Sequence, residues 1–549
     1  MGETMLNETA SSGGGGFAIR SLDWASAFLQ KEVGIALTAT LLVGLYTLVA
    51  FWLKNRRPGQ LTTWPLIGSL PTLTPQWPRL YEFITEQLEK NDVLWAGFAF
   101  GFEGVYIADP PSVEYILKTN FPNFPKGVGV QERMRELLGH GIFAADGLQW
   151  KNTRKVASLE FSSSILRDHS ADVFKELSLT LTRIVSQYTD SKTPINMQDL
   201  FMRMTLDGTC KVGFGVELGC LSPSLPEVPF HSNFDLANEL SFHRYIDPFW
   251  KVKKFFNKGD EKVLKKCVDA MDEFVYDVIN RRRAELQAAQ NDGPQASQEF
   301  LYVVIRPDLL TRFMTMTDKA DEALSDKAIR DHVVNFIIAG RDTTAITLSW
   351  FIYRICLHPQ VAEKIFQEVT ALEEDENALD GDEEQSDDPI ERFARVLSFY
   401  NVAKLKYLHC ALTETLRLYP AVPLDGKIAE ADDVLPNGAK VKKGTLVTYA
   451  SYSMGRLEKV WGPDARMFKP ERWLKDGSFH PESPFKFVSF HGGLRQCLGK
   501  ESAYLQMKIT AALLVRFFKF ELVPNQDVRP RVMFVLAMAE GVKVIATRR

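Results

Sequence analysis

One cysteine near the C-terminus constrains the fold more than any other feature of the sequence. It lies in the segment SFHGGLRQCLGK, residues 489–500, where Gly492, Gly493 and Gly499 offer no side chains for packing. Glycines are used where the backbone turns tightly or comes close to another group. The helical pattern that follows Gly499 places Cys497 just ahead of a helix N-terminus, where the helix dipole favours negative charge. The segment therefore predicts a thiolate that a turn presents as a ligand.

The other cysteines favour neither a disulfide framework nor a zinc site. The chain has six cysteines, and none forms a CxxC pair or a regular spacing. The remaining five are Cys210, Cys220, Cys267, Cys356 and Cys410. Reduced thiols are the ordinary state on a cytosol-facing surface, which leaves Cys497 free to bind a metal.

The chain is long enough to bury a large core, with 549 residues, 45% of them hydrophobic and 24% charged. Helical patterns dominate from about residue 72 onward, and no internal repeat is evident. Strand-like alternation is concentrated in residues 440–454, after the turn signal Pro436-Asn437-Gly438. We therefore predict a mainly α fold with small β-sheets (α+β).

An uncharged stretch of 21 residues, 33–53, predicts one transmembrane helix, with the anchor segment taken as residues 31–53. As a helix the stretch would span about 31 Å, the thickness of a bilayer core. Basic residues follow it at Lys54, Arg56 and Arg57, whereas Arg20 is the only one in the first thirty. By the positive-inside tendency, we expect a lumenal N-terminus and a cytosolic body at the endoplasmic reticulum membrane.

Composition divides the rest of the chain. Residues 1–30 are rich in Gly and Ser and predict a disordered lumenal N-terminus. Residues 54–71 carry several prolines and glycines and predict a stiff, turning linker before the main domain at 72–549. Residues 373–388 contain ten acidic residues and no basic ones, which is typical of a solvated loop. Because the whole chain carries −4, the remainder carries +6 and would suit an acidic protein partner.

The pattern Phe490-x-x-Gly493-x-Arg495-x-Cys497-x-Gly499 combines residue types that a thiolate ligand needs. Glycines expose backbone N–H groups that temper the charge on sulfur, and Arg495 could hold the anionic edge of a cofactor.

A second pattern lies in an apolar helix that reads VVNFIIAGRDTTAITLSWFIYRI. Gly340 would let a flat cofactor approach closely, and Asp342 with Thr343 could pass protons to bound oxygen. The alternative is structural, with the threonine hydroxyl bonded to a preceding carbonyl so that the helix bends.

Two further pairs have helical spacing. Glu414 and Arg417 lie on one helix face, and Arg472 in the segment PERW could complete a buried charge network that holds the cysteine loop in place. Trp150 and Arg154 lie one turn apart and offer an indole N–H and a guanidinium to carboxylates.

Together these patterns, in this order, resemble the cytochrome P450 family over roughly residues 60–545. The resemblance implies the P450 fold and a haem-thiolate catalytic domain at 72–549. It implies haem b with Cys497 as its iron ligand, and Asp342 and Thr343 as the residues that deliver protons to bound dioxygen. The residues that it implies around the haem are Trp150, Arg154, Ala339, Gly340, Phe490, Arg495, Cys497 and Gly499. Leu494 stands where many members have proline, and Trp473 where phenylalanine is common.

An anchored member of the family would receive electrons from a membrane-bound, NADPH-dependent P450 reductase. The family docks this partner on the thiolate side, where Lys151, Lys155 and Lys500 are candidates, although each could equally be an ordinary solvated lysine.

Five stretches resemble plant-type hydroxylases that oxidise the terminal carbon of long-chain fatty acids. They are NFPKG (123–127), LLGHGIFAADGLQW (137–150), AGRDTTAITLSWF (339–351), RLYPAVPLD (417–425) and PESPFKF (481–487). By analogy with the family, the residues expected to face the substrate are Phe336, Ile337, Val422, Pro423, Leu424, Leu536, Ala537 and Met538. All are apolar and suit an alkyl chain. A substrate carboxylate could bind Arg133, Arg135 or Arg244, and the sequence does not choose among them.

Other functions remain open at this point. The attack could fall within the chain, as hydroxylation or epoxidation, or the substrate could be another hydrophobic molecule such as a terpenoid or phenylpropanoid. Some relatives rearrange peroxides without a reductase, but they tend to lack the acid–threonine pair. A haem carrier or sensor without catalytic activity would have no use for Asp342 and Thr343.

Overall fold

The structure is a computed structural model, and it is mostly helical with small sheets, as the sequence predicts. The residues that it describes are 32–35, 37–46, 49, 57–98, 102–162, 164–291, 308–316, 324–377 and 388–549. The predicted disordered segment 1–30 lies outside them. So do residues 378–387, the larger part of the acidic segment.

The predicted membrane anchor, residues 31–53, is described only in part. Residues 32–35, 37–46 and 49 are helical and exposed, and the other positions of the segment lie outside the described residues. Within the described ranges, no helix combines the length and the apolar character needed to cross a bilayer.

The described residues from 57 onward form nineteen α-helices. Their bounds are Leu70–Leu73 (α1), Leu80–Lys90 (α2), Pro110–Glu114 (α3), Gly127–Leu138 (α4), Gly147–Ser162 (α5), Ser164–Ser191 (α6), Met197–Phe214 (α7), Pro229–His243 (α8), Trp250–Phe255 (α9), Asp260–Asn291 (α10), Leu309–Met314 (α11), Asp326–Leu357 (α12), Pro359–Asn377 (α13), Pro389–Val396 (α14), Phe399–Lys404 (α15), Lys406–Leu418 (α16), Ser451–Met454 (α17), Glu458–Trp461 (α18) and Lys500–Phe517 (α19).

The strands are short. Their bounds are Val93–Gly97 (β1), Glu103–Ile107 (β2), Ile195–Asn196 (β3), Asp425–Ile428 (β4), Asp433–Val434 (β5), Lys440–Val441 (β6), Leu446–Tyr449 (β7), Leu474–Lys475 (β8), Ser478–Phe479 (β9), Phe518–Leu522 (β10) and Lys543–Arg548 (β11). The largest sheet has the order β1-β2-β7-β4, in which β2 and β7 are parallel and the other pairs are antiparallel. A second sheet has the order β10-β11-β3, and β5-β6 and β8-β9 form hairpins.

The predicted strand region 440–454 contains β6 and β7 but ends differently. Gly438 has φ +83° in the turn that precedes β6, as the turn signal indicates. Residues 451–454 form a helical turn instead of continuing the strand. The Ser451 hydroxyl donates to the Val422 carbonyl, and the Tyr452 N–H donates to the Pro423 carbonyl at 3.2 Å. These bonds replace the ladder that a longer strand would need.

The predicted linker joins the edge of the first sheet through residues 59–61. The Leu61 N–H donates to the Trp95 carbonyl at 2.9 Å, and the Trp95 N–H donates to the Gly59 carbonyl at 2.8 Å. Gly59 has φ +71°, and a Cβ there would lie 2.0 Å from the Val93 carbonyl oxygen. Only glycine fits at this contact, which attaches the segment after Pro58 to β1.

Helix α12 forms the centre of the molecule. It is buried over most of its length, and it packs against α7 more extensively than any other pair of described elements pack together. The Ser325 hydroxyl accepts from the Ala328 N–H and caps its N-terminus. A helix that is apolar on most faces requires such burial, so the burial of α12 follows from its composition.

Helix α16 carries Glu414, a carboxylate that is completely buried. Arg417 donates to its two oxygens at 2.7 and 2.8 Å. The Trp473 indole N–H donates at 2.9 Å, the Lys469 backbone N–H at 3.0 Å, and the Arg472 guanidinium lies 3.4 Å away. The three residues expected to form a charge network are therefore in contact. Trp473 adds a donor that phenylalanine could not supply.

The same network reaches the loop that carries Cys497. Arg417 also donates to the carbonyl of Ala465 at 2.6 Å and to that of Met467 at 2.9 Å. One residue before it, the Leu416 carbonyl accepts from the Ser489 hydroxyl at 2.8 Å. Helix α16 thus holds both the segment before the PERW motif and the start of the cysteine loop.

Replacing Glu414 with alanine should lower the free energy of unfolding by about 3–5 kcal/mol, because it leaves Arg417 buried without its counter-charge. Urea unfolding followed by tryptophan fluorescence measures this. The matched control is Asp269→Ala, which breaks an exposed pair with Lys265 (2.8 Å) and should change stability by less than about 1 kcal/mol. Equal effects of the two substitutions would contradict the structural role of Glu414.

Candidate active site

A deep cavity lies between α12, α7 and the loop that carries Cys497. Its volume is about 350 Å³. This lies within the roughly 300–1000 Å³ of a typical ligand pocket. The eight residues expected around the cofactor all line it, namely Trp150, Arg154, Ala339, Gly340, Phe490, Arg495, Cys497 and Gly499.

Cys497 lines this cavity. It lies deep in the molecule, and its side chain is exposed to the cavity. Its backbone N–H donates to the Phe490 carbonyl at 2.9 Å, which closes the loop. Gly493 has φ +61°, and a Cβ there would lie 2.1 Å from the Leu117 carbonyl oxygen. The glycine is therefore required for the loop to pack against the segment that contains Leu117.

The surroundings of the Cys497 sulfur suit a thiolate that binds a metal. Helix α19 begins at Lys500 with Gly499 as its N-cap residue, as the sequence predicts. Burial raises the pKa of the Cys497 thiol, whereas the Gly499 N–H and the charges of Arg154 and Lys500 lower it. A bound cation would add the one favourable charge that this buried sulfur lacks.

Two arginines frame the cavity beside the sulfur. Arg154 donates to the Gln496 carbonyl at 2.7 Å. Arg495 donates to Asp146 at 2.7 Å and lies 4.6 Å from the centre of a Trp150 ring. Its Nε is buried and has no hydrogen-bond partner in the described part of the chain. A buried donor without a partner is costly, so this position fits an acceptor supplied by a ligand.

The cavity has a cationic wall, which we define as Lys126, Arg154, Lys427 and Arg495. A single carboxylate, Asp425, lines the cavity with them among the described residues. Burial lowers the pKa of Lys427, so further negative charge beside it would be favourable. The wall therefore fits a cofactor with an anionic edge, such as the two carboxylates of haem b.

Asp425 connects this wall. It forms ion pairs with Lys126 and, at 3.1 Å, with Lys427, and it accepts from the Tyr449 hydroxyl at 2.8 Å. The two lysines hold the pKa of Asp425 well below its usual range despite its burial. Burial lowers the pKa of His491, which also lines the cavity, to about 4.

Sequence reasoning missed Asp425 and Lys427 as site residues. The signal was present, because charges at alternate positions of a short strand such as β4 point to the same face. The pairing with Lys126 was not visible, since 299 positions separate Lys126 from Asp425.

Gly340 lies where helices α12 and α7 approach each other closely. It lines the cavity, but a Cβ there would lie 2.3 Å from the Thr209 hydroxyl oxygen of α7. The missing side chain therefore makes room for helix α7, and the expected approach of a cofactor to Gly340 stays a prediction. Next to it, the Thr205 hydroxyl of α7 donates to the Arg341 carbonyl at 2.8 Å, so the two helices are joined at this level.

Thr343 and Asp342, the predicted threonine and acid, differ in position and in hydrogen-bond partners. Thr343 lines the cavity, and its hydroxyl donates to the Ala339 carbonyl at 2.7 Å, the back-bonded arrangement that was the structural alternative. Asp342 is buried behind the cavity wall and accepts from Arg341 at 2.7 Å, while Arg341 also pairs with Asp235 at 3.2 Å. The second oxygen of Asp342 has no partner within the described residues. Burial raises the pKa of Asp342 to about 7.

The residues expected to face a substrate divide into two groups, all of them described. Phe336, Val422 and Leu424 line the cavity. The remaining five, which are outside its lining, are Ile337, Pro423, Leu536, Ala537 and Met538.

The C-terminal segment lines the cavity through Phe534 and Val535 instead. The Leu536 carbonyl accepts from the Trp350 indole N–H at 2.8 Å, and the Leu536 N–H donates to the Ala421 carbonyl at 2.9 Å. These bonds fix Leu536 in the protein core and leave the two preceding residues at the surface of the cavity.

Further apolar residues of the wall come from α4 and the loop after it. They are Met134, Leu137, Leu138, Ile142 and Phe143. Most lie in the stretch 137–150 that resembles fatty acid hydroxylases, although sequence reasoning gave them no individual role. The Asn335 side chain of α12 accepts from the Phe143 N–H at 3.1 Å and donates to the Leu138 carbonyl at 2.8 Å, which latches this loop onto the central helix.

Comparison with known proteins agrees with this site. The sequence model of the family described as Cytochrome P450 matches residues 58–545. The chain is 48% identical to Cytochrome P450 704B1 of Arabidopsis thaliana over 516 residues, 91% of this chain and 98% of that protein. It is 44% identical to Cytochrome P450 704C1 of Pinus taeda, over 91% of this chain and 95% of that protein, and 38% identical to Cytochrome P450 86B1 of Arabidopsis thaliana, over 94% and 90%.

The family match covers almost the whole body of the chain, and the residues of the cavity fit the haem that the family carries. Family membership implies a thiolate-ligated haem, dioxygen and electrons that come from a reductase. The chain belongs to the cytochrome P450 family and is a haem-thiolate monooxygenase.

Proposed function

We propose that the protein hydroxylates long-chain fatty acids at the terminal carbon, with O2 and electrons from a membrane-bound, NADPH-dependent P450 reductase. The observation that carries the substrate class is the apolar wall of the cavity. This apolar wall is formed by Met134, Leu137, Leu138, Ile142, Phe143, Phe336, Val422, Leu424, Phe534 and Val535. The five stretches that resemble plant-type fatty acid hydroxylases support the same substrate.

The chain's own residues would hold the cofactor at one end of the cavity. Cys497 offers its sulfur to the iron, and the cationic wall offers its donors to the haem carboxylates. When bound, the haem supplies the activation of dioxygen that lets one oxygen atom enter a C–H bond. The apolar wall would bind the alkyl chain and exclude water from it.

Thr343 and Asp342 would handle protons on the side of the cavity opposite Cys497. The Thr343 hydroxyl lines the cavity and could turn its proton from the Ala339 carbonyl toward a bound ligand. Asp342, directly behind it in α12, has a pKa raised to about 7, so it can both hold and release a proton near neutral pH.

The proposal includes a membrane location at the endoplasmic reticulum, with an anchor at residues 31–53 and a cytosolic body. Helix α9 and the residue after it support contact with lipid. Val252, Phe255 and Phe256 expose 54%, 83% and 62% of their surface, and lysines at 251, 253, 254 and 258 surround them. Exposed aromatic side chains flanked by lysines suit the surface of an anionic membrane.

The reductase would dock near the thiolate loop. Lys151 and Lys155 are exposed on α5, the helix that carries Trp150 and Arg154, and Lys500 is half-buried at the start of α19. These lysines suit an acidic partner surface.

Microsomes that contain the full chain, a P450 reductase and NADPH, supplied with saturated and unsaturated fatty acids of graded length, should yield acids hydroxylated at the terminal carbon. Mass spectrometry locates the new oxygen. Omitting NADPH is the control, and product that persists without it would indicate peroxide rearrangement. Oxygen placed within the chain would overturn terminal attack, and no product from any acid would overturn the substrate class.

Thr343→Val should lower the product formed per NADPH consumed by about 10²-fold, because the hydroxyl that lines the cavity is lost. Thr343→Ser keeps the hydroxyl and should stay close to the wild type. The matched control is Thr180→Val, at a half-buried helical threonine whose hydroxyl also donates to a preceding carbonyl, at 3.1 Å. If Thr343→Val couples NADPH to product as well as the wild type does, the hydroxyl serves only the helix.

Asp342→Asn should change how stability depends on pH. Folding raises the pKa of Asp342 from its ordinary value near 3.8 to about 7, so the wild type loses stability as the pH rises between these values. The loss is about 1.4 kcal/mol per pH unit, and the neutral asparagine escapes it. Thermal unfolding from pH 5 to pH 8 should show that the stability of the variant, relative to that of the wild type, rises up to about pH 7. A constant difference would contradict the raised pKa.

A further inference from the structure

Arg133 differs from the other two arginines that could bind a substrate carboxylate. Arg244 is buried and already forms ion pairs with Glu136 and, at 2.6 Å, with Glu261. Arg135 is exposed to water, where a single charge contributes little to binding. Arg133 is half-buried and forms no ion pair with any described residue. Of the three, it alone combines partial burial with an unused charge.

The guanidinium of Arg133 is held by aromatic rings rather than by acids. It lies 5.3 Å from the Phe102 ring and 5.0 Å from the Tyr245 ring. Its single hydrogen bond to the described residues goes to the Gly129 carbonyl at 2.6 Å, and its Nε is buried without a partner. Because the rings fix its position without neutralising it, this cation is ready to bind an anion.

The acids near Arg133 are occupied by other cations. Glu132 pairs with Lys251 at 2.7 Å, and Glu136 pairs with Lys254 as well as Arg244. The carboxylates of α4 are therefore bound to the exposed helix α9 and to Arg244. An anion that reaches Arg133 does not have to displace a partner from it.

Arg133 also lies beside the apolar wall of the cavity. Met134 and Leu137 of the same helix line the cavity. Tyr245, which holds the guanidinium, packs edge-to-face on Phe534 with ring centres 6.3 Å apart, and Phe534 lines the cavity too. The Tyr245 hydroxyl has no hydrogen-bond partner in the described ranges and offers a second donor. One aromatic ring thus separates this cation from the alkyl-binding surface.

We propose that Arg133, with the Tyr245 hydroxyl, binds the carboxylate of a long-chain acid at the border of the cavity and so directs the opposite end of the chain inward. This inference rests on the proposed substrate class. A charge-assisted hydrogen bond fixes one end of the substrate, and the apolar wall accommodates the rest. The carbon farthest from the carboxylate then reaches the cofactor, so Arg133 contributes to the position of attack.

The test compares Arg133→Gln, Arg133→Lys and the wild type in binding the fatty acid that gives most product, and its methyl ester. Binding is measured by equilibrium dialysis of the haem-loaded protein. Loss of a charge-assisted hydrogen bond should weaken binding of the acid by Arg133→Gln roughly tenfold to a hundredfold, with ester binding unchanged. The lysine variant should fall between. Arg135→Gln, which removes an equal charge from the exposed face of the same helix, should bind both ligands as the wild type does.

Regiochemistry supplies a second readout, because hydroxylation by Arg133→Gln should spread from the terminal carbon toward the middle of the chain. Equal weakening of acid and ester, or no weakening of either, would overturn the role of Arg133 while leaving the fatty acid assignment in place. A wild type that binds no fatty acid in the panel would overturn the proposed substrate and this inference with it.

Discussion

The buried pairing of Glu414 with Arg417 is the interaction on which the arrangement of the site depends. A carboxylate without exposure to water is tolerated only when every strong partner is in place, and here two arginines, an indole and a backbone N–H share the task. Three of these partners, Lys469, Arg472 and Trp473, come from a segment that has little regular structure of its own. The charge network therefore fixes the position of this segment, as backbone hydrogen bonds do in a helix or a sheet. The Cys497 loop is hydrogen-bonded to the same helix, α16.

The cavity separates charge from apolar surface. Its cationic wall lies by the thiolate loop, and its apolar wall is built from α4, the loop after it and the segment around Phe534. A cofactor with an anionic edge and an iron-binding centre would give partners to the Cys497 sulfur and to the unpaired Arg495 donor. The apolar part of the lining would then suit a hydrophobic substrate such as the proposed alkyl chain. The haem and the proposed substrate would thus contact parts of the cavity that differ in chemistry.

The features that could be predicted from the sequence are those whose residues lie close together along the chain. The cysteine loop before α19, the apolar helix α12 and the pair Glu414 and Arg417 each lie within one stretch, and each has the predicted local structure. Contacts between distant segments were beyond this reasoning. The closeness of Gly340 to Thr209 depends on how two helices cross. The inward residues near the C-terminus are displaced from 536–538 to 534–535, because irregular backbone has no period from which orientation could be read.

Electrostatics alone could place an anionic substrate in the wrong orientation, since its carboxylate would be drawn to the cationic wall. A bound haem would remove this conflict, because Lys126, Arg154, Lys427 and Arg495 would hold its anionic edge. A cation at the border of the apolar wall, such as Arg133, is then the remaining attractive site for a carboxylate. The proposed fatty acid would then enter with its apolar end leading, so terminal attack would follow from the order in which the two anions bind rather than from a tight fit around the last carbon.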